Sequence, residues 1–176
     1  MSTLGLLYNK NMIIFINGSI NSGKTTIANI LAKKLANAAL VEVDVFMRMI
    51  DWMPIDQAVP VNLENAISVI RNFSNKKFNV IIPYPLSQKN YDFIINELKD
   101  INDKICFFTL APKIEKVLTD RGSRQLKDSE LERIKYHYSI GIHSPSFGEI
   151  IDNSDQTPEE TAKCILVKLG QPTIKE

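Results

Sequence analysis

Residues 12–26 read MIIFINGSINSGKTT. The apolar, β-branched and aromatic run Met12–Asn17 is stopped by Gly18, and small residues lead into Lys24, Thr25 and Thr26. A short run of this kind suits a buried strand. The next stretch, KTTIANILAKKLAN over 24–37, sets Ile27, Ile30, Leu31 and Leu35 on one face at helical spacing. Between them residues 18–25, GSINSGKT, match G-x-x-x-x-G-K-[ST]. Small residues let successive N–H groups curl inward as an anion nest, aimed like the helix N-terminus behind it. The reading is a phosphate socket formed by Gly18, Ser19, Ile20, Asn21, Ser22, Gly23, Lys24, Thr25 and Thr26. Lys24 reaches the β- and γ-phosphates, the Thr25 hydroxyl faces Mg²⁺, and Thr26 packs or caps. Against a plain glycine turn stands the strand–loop–helix context that the pattern requires.

The rest of the chain alternates in the same way. ALVEVDV (39–45) reads as a second strand, with Val41 and Val43 alternating against Glu42 and Asp44. A helix over 62–75 precedes a third strand, FNVII (78–82), halted by Pro83 and Pro85. A helix over 87–100, the strand KICFFTL (104–110) and a helix opened by Pro112 follow. Residues 128–140 form a further helix and GEIID (148–152) a weaker fifth strand. The last helix opens at TPEE, with Thr157 as N-cap and Pro158 at the first helical position. Short buried strands alternating with helices predict an α/β fold, a parallel sheet covered on both faces.

In a parallel sheet all strand C-termini share one rim, where ligands bind. Gly18, Asp44, Pro83–Tyr84–Pro85, Ala111 and Asp152–Asn153 are thereby expected around one crevice. Asp44 is either a carboxylate that orients an acceptor hydroxyl and helps hold Mg²⁺, or a cap for the following turn. A weak base suffices there, because phosphoryl transfer passes through a loose transition state in which positioning matters more than basicity. Arg48 either binds the acceptor or is solvated, and Tyr84 either faces the acceptor or packs. No acid follows the third strand, where many nucleotide-binding proteins carry a Mg²⁺-linked one. Residues 121–135, RGSRQLKDSELERIK, gather Arg121, Arg124, Lys127, Arg133 and Lys135. Arg121 and Arg124 read as a basic lid over the nucleotide; the alternative is a solvated helix face, which Glu130 and Glu132 favour for Arg133 and Lys135. His137 and His143 have no Cys or His partner at metal-ligand spacing, so structural or surface roles are expected of them.

Length and composition set the frame. The 176 residues, 44% hydrophobic, suit one domain. The expected organisation is a leader over 1–11, one domain over 12–170 with its lid near 121–128, and a tail over 171–176. A net charge of +1, from 21 basic and 20 acidic side chains, gives no general pull toward nucleic acid or anionic membrane. Cys106 and Cys164 are far apart in apolar contexts, which reads as reduced buried thiols in a cytoplasmic protein. The apolar runs are too short to span a bilayer, and the N-terminus lacks a signal-peptide pattern.

With these residues in place, the chain resembles the small-molecule kinases of the P-loop class, the group of shikimate kinase, gluconate kinase, adenylylsulfate kinase and chloramphenicol phosphotransferase. The resemblance covers residues 12–170 and rests on GSINSGKT, VDVF, RGSR and IIDNSDQTPEETAKCIL. It implies a three-layer P-loop fold with a five-stranded parallel sheet of order 2-3-1-4-5, a lid, and an adenine-side loop around Asp152–Gln156 that includes Asn153. VDVFMRMIDWMP is similar to the region in which chloramphenicol phosphotransferases place their proposed base, which implies that role for Asp44. The acidic pair those enzymes carry after the third strand is replaced here by Pro83 and Tyr84. The activity implied is transfer of the ATP γ-phosphate, with Mg²⁺, to a hydroxyl of a metabolite or antibiotic by a monomer or homodimer. The catalytic set would be Lys24, Asp44, Arg121 and Arg124, with Asp44, Arg48 and Tyr84 on the acceptor. Trp52, Met47, Met49 and Met53 suggest either apolar walls for that acceptor or core positions at helical spacing. A nucleoside or nucleotide kinase is the first alternative, and an ATP-binding regulatory protein with little catalysis the second.

Overall fold

β1 (Met12–Gly18) is buried along its whole length, which a strand manages only when both faces of its sheet are covered. The computed structural model describes residues 11–119 and 125–171. β1 is central in a five-stranded sheet ordered β2-β3-β1-β4-β5, with β2 spanning Ala38–Leu40, β3 Asn79–Pro83, β4 Lys104–Leu110 and β5 Glu149–Ile151. All four pairings are parallel, with Ile14 opposite Ile81 on one side and Cys106 on the other. The expected fold class and strand order are therefore those observed.

Alternation along β1 divides the core in two. Ile13 and Phe15 join Val80, Ile82 and Phe107 under α3 (Ile55–Asn75) and α4 (Gln88–Leu98). Ile14 and Ile16 join Ile81, Phe108 and Leu110 under α1 (Lys24–Lys34) and α7 (Pro158–Lys168). α7 begins as its sequence indicates. Thr157 accepts from the Glu160 N–H at 3.2 Å, the Glu160 carboxylate accepts from the Thr157 N–H at 2.8 Å, and Pro158 takes the first turn.

Several boundaries differ from expectation. The second strand stops at Leu40 rather than running to Val45. Val41 N–H still reaches the Ile81 carbonyl, but Val45 N–H turns back to Glu42, and α2 (Asp44–Met47) follows. Asp44 is thus the first residue of a short helix and not the last of a strand. The third helix starts at Ile55, not residue 62, and runs through Pro60. Pro60 is the sixth residue of the helix, beyond the four amides that any helix start leaves free, so the helix gives up one internal hydrogen bond there. Alternating apolar and polar residues were the misleading local signal in the first case. The helix opened by Pro112 is the four-residue α5 (Ile114–Val117), with Lys113 at its N-cap. α1 and α4 each end earlier than their periodicity suggests, whereas α6 (Asp128–Ser139) is close to its expected span. Cys106 and Cys164 are free and half-buried rather than buried, and burial pushes the Cys106 thiol up. No helix among the described residues is long and apolar enough to cross a membrane.

Asn17, fully buried, ties the rim together. Its amide donates to Thr109 Oγ1 at 3.0 Å and to the Ile142 carbonyl at 3.1 Å, and its Oδ1 accepts from the Leu86 N–H at 2.7 Å. One polar side chain thereby ties β4 and two connecting segments to the end of β1, where an unpaired amide would be costly.

Candidate active site

The crevice at the strand C-termini is a cavity of about 700 Å³ lined by residues 20–27, Asp44, Pro83, Pro85, Glu130, Asn153, Gln156, Pro158 and Thr161. The loop after β1 wraps its base. Gly18 (φ +144°), Asn21 (+62°) and Gly23 (+99°) take backbone conformations with positive φ. At Gly18 a Cβ would lie 2.5 Å from Ser22 Oγ and 2.7 Å from the Leu110 carbonyl, so only glycine fits. Ser22 Oγ is buried with no hydrogen-bond partner among the described residues.

Two amides tie the loop to its surroundings. Asn21 Nδ2 donates to the Val117 and Thr119 carbonyls at 3.0 and 2.9 Å, and Asn153 Nδ2 donates to the Ser22 carbonyl at 3.1 Å. Lys24, the first residue of α1, folds back so that Nζ donates to the Ser19 carbonyl at 2.6 Å. Ile20, Thr25 and Thr26 line the cavity, whereas Gly18 and Ser19 lie beneath it, Ser19 being 1% exposed.

Asp44 lines the same cavity from the start of α2. The fit of Mg²⁺ depends on this placement, because the ion commonly binds one or two protein oxygens together with phosphates and waters. Thr25 and Asp44 supply such oxygens across one crevice. The described residues contain no cluster of three or more His, Cys, Asp or Glu suited to a metal, and that mode of binding needs none. Pro83 and Pro85 form the wall beyond the third strand.

Tyr84 turns away from this wall. It is 8% exposed and belongs to the core under α3. Burial, reinforced by the negative charge of Asp44, pushes its phenol up to about 12, against an opposing pull from Arg133. Arg48 is an exposed C-cap of α2 outside the cavity lining. Asp152 is exposed and also outside it. Its carboxylate accepts from the Ser154 N–H and hydroxyl, which hold it below the usual range. Its neighbours Asn153 and Gln156 do line the cavity. Arg121 and Arg124, with most of the expected lid, lie outside the described residues. Met49 and Trp52 are 73% and 80% exposed and form no part of the cavity wall.

Two contributions to the cavity were missed from sequence. Glu130 read as a partner for helix cations, yet it lines the cavity while its carboxylate also accepts from the Lys127 N–H at 3.2 Å. Thr161 lines it one turn into α7 and donates to Gln156 Oε1 at 3.0 Å. His137, of which a structural or surface role was expected, is buried behind the loop, 4% exposed. It accepts at Nε2 from Arg133 Nε at 3.1 Å, and its Nδ1 lies 3.3 Å from Ser19 Oγ. The histidine–arginine spacing of four along a helix was the available signal. Burial first, then the charges of Arg133 and Lys24, lower the His137 pKa from 6.5 to about 4.

That depression has a consequence with a definite sign. The folded ring stays neutral where the unfolded ring takes a proton, so its contribution to stability is full above pH 6.5 and is lost as pH falls toward 4. Urea unfolding at pH 7 and at pH 4.5 is expected to show a smaller pH-dependent loss in His137→Phe than in the wild type. Carboxylates titrate in the same window, so the difference between the two proteins is the readout. Equal losses would place the ring in solvent.

Among solved structures, the tunicamycin resistance protein of Deinococcus radiodurans superposes with a TM-score of 0.68 at 18% identity, over 95% of this chain and 99% of that one. A sugar kinase from a Janibacter species gives a TM-score of 0.68 at 19% identity, covering 92% and 95%. A gluconokinase from Sinorhizobium meliloti gives 0.65 at 14%, covering 92% and 93%. The chain shares the fold of these proteins. No protein-family profile and no curated protein sequence matches it. At these identities the likeness concerns the fold, and function must be argued from the site.

Proposed function

We propose that the protein transfers the γ-phosphoryl group of Mg·ATP to a hydroxyl of a small molecule, a metabolite or an antibiotic. The observation that carries this reading is the placement of Lys24 and Asp44 on one cavity, at the strand end where the loop of positive-φ residues opens onto α1. ATP supplies the phosphoryl group, and the backbone N–H groups of residues 20–26 cradle its phosphates. Lys24 exchanges the Ser19 carbonyl for phosphate oxygen and stabilises charge during transfer. Asp44 orients the acceptor hydroxyl and accepts its proton late, and with Thr25 it offers oxygens to Mg²⁺. Asn153 and Gln156 stand on the side assigned to the adenine, and Arg121 and Arg124 are assigned to a lid.

The test is ADP release from Mg·ATP across a panel of hydroxyl acceptors. Chloramphenicol-type and aminoglycoside antibiotics, shikimate, gluconate, adenylylsulfate, nucleosides and nucleoside monophosphates make up the panel. One acceptor is expected to raise turnover well above basal hydrolysis, and Asp44→Asn to lower the acceptor-dependent rate on the order of a hundred-fold. A nucleoside or nucleotide as the activating acceptor would move the assignment to that class of kinase. The wall of Pro83 and Pro85, where an acid would otherwise help hold Mg²⁺, favours a second reading as an ATP-binding regulatory protein. Tight ATP binding with a flat panel would support it.

A further inference from the structure

Ser19 receives two polar groups at once. Its carbonyl accepts from Lys24 Nζ at 2.6 Å, and its hydroxyl lies 3.3 Å from His137 Nδ1, with both Ser19 and His137 almost fully buried. On the other edge of the imidazole, Nε2 accepts from Arg133 Nε at 3.1 Å. Because Nε2 accepts, the neutral ring carries its proton on Nδ1 and donates it to Ser19 Oγ. A continuous polar chain therefore runs from Lys24 through Ser19 and His137 to Arg133.

We propose that His137 is a positioning residue for phosphoryl transfer, a neutral two-sided link that holds the phosphate loop at Ser19 and Arg133 of α6 in fixed relation. The inference rests on the phosphotransferase reading for its catalytic consequence. The residue type follows from what surrounds it. Lys24 faces it from α1, Ser19 from the loop, and Arg133 and the Tyr136 ring from its own helix. A cation here would be a third positive charge beside half-buried Lys24 and exposed Arg133. An imidazole offers one donor and one acceptor on opposite edges, and burial between two cations keeps it neutral. When phosphate takes Lys24 from the Ser19 carbonyl, His137 still anchors the Ser19 hydroxyl, so the loop keeps its shape as the lysine moves.

The experiment uses the full chain. Nitrogen-15 NMR reads the tautomer of the His137 ring, and calorimetry reads Mg·ATP affinity in the wild type, His137→Phe, His137→Asn, Ser19→Ala and the Ser19→Ala/His137→Phe double variant. The ring is expected to be neutral and protonated on Nδ1 at pH 7, with its resonances shifted by Ser19→Ala. His137→Phe is expected to weaken Mg·ATP roughly ten-fold, the scale of a buried group left unpaired. His137→Asn, which keeps a donor and an acceptor, should recover most of that. Ser19→Ala should add little further loss on top of His137→Phe, as residues in one network do. A packing role alone would give equal losses in Phe and Asn and additive losses in the double variant, and either result overturns the proposal. So does a ring protonated on Nε2, or Mg·ATP affinity unchanged in His137→Phe. A wild type that binds no Mg·ATP would instead sink the phosphotransferase reading, and the tautomer and its response to Ser19→Ala would still decide whether His137 links Ser19 to Arg133.

Discussion

Lys24→Ala is expected to lower Mg·ATP turnover by on the order of a hundred- to a thousand-fold, the usual cost of removing one preorganised donor aimed at developing charge. Lys24 begins α1, and its Nζ rests on the Ser19 carbonyl at 2.6 Å while its side chain lines the cavity. No part of it belongs to either half of the core. The variant should therefore keep its thermal midpoint within a few degrees of the wild type, which separates loss of chemistry from loss of fold. The measurement is ADP release at saturating Mg·ATP, with the activating acceptor from the panel if one is found and as basal hydrolysis otherwise. Turnover within threefold of the wild type would show that the loop after β1 is not where ATP reacts.

The fold was legible because its signals were local and mutually consistent. The period of α1, the short apolar strands and the TPEE start of α7 each follow from neighbouring residues, and they agree with one another. Where a local signal had to be weighed against a partner elsewhere, the reading slipped. Val41 and Val43 alternate like strand residues, yet β2 ends when its pairing with β3 ends, and the same two valines bury themselves in a turn instead. The site divides in the same way. The phosphate loop is contiguous in sequence, so its spacing could be read directly. His137 is more than a hundred residues from Ser19, and Glu130 and Thr161 reach the cavity only because α6 and α7 return to the same rim. Such contacts leave no periodic trace. Tyr84 shows the limit from the other side: its place after β3 puts its backbone on the rim, but the alternation of side chains turns the phenol into the core.

The largest effect on stability is expected at a glycine that no motif marks. Gly148 precedes β5 at φ +69°, and a Cβ there would lie 2.5 Å from the Phe107 carbonyl oxygen and 2.6 Å from Phe107 Cβ. Neither atom can yield readily. Phe107 is in β4, paired to β1 through Phe15, and its ring stacks on Phe15 at 4.8 Å and meets Phe147 edge-on at 5.7 Å. A methyl group at residue 148 would have to push β5 away from β4, breaking the pairing of Glu149 with Phe108. Gly148→Ala thus combines a left-handed backbone penalty of about 1–2 kcal/mol with overpacking of about 1–3 kcal/mol, a loss of roughly 2–5 kcal/mol. In a domain of this size, a loss near the middle of that range lowers the thermal midpoint by about 10 °C. Gly170 supplies the comparison, because its φ is similar, +74°, and a Cβ there meets nothing within 4 Å. Gly170→Ala should carry the backbone penalty alone, about 1–2 kcal/mol. Urea unfolding of the two variants then isolates the contact with β4. If they lose the same amount, β5 can move off Phe107 at no cost, and the edge of the sheet is softer than its pairing implies.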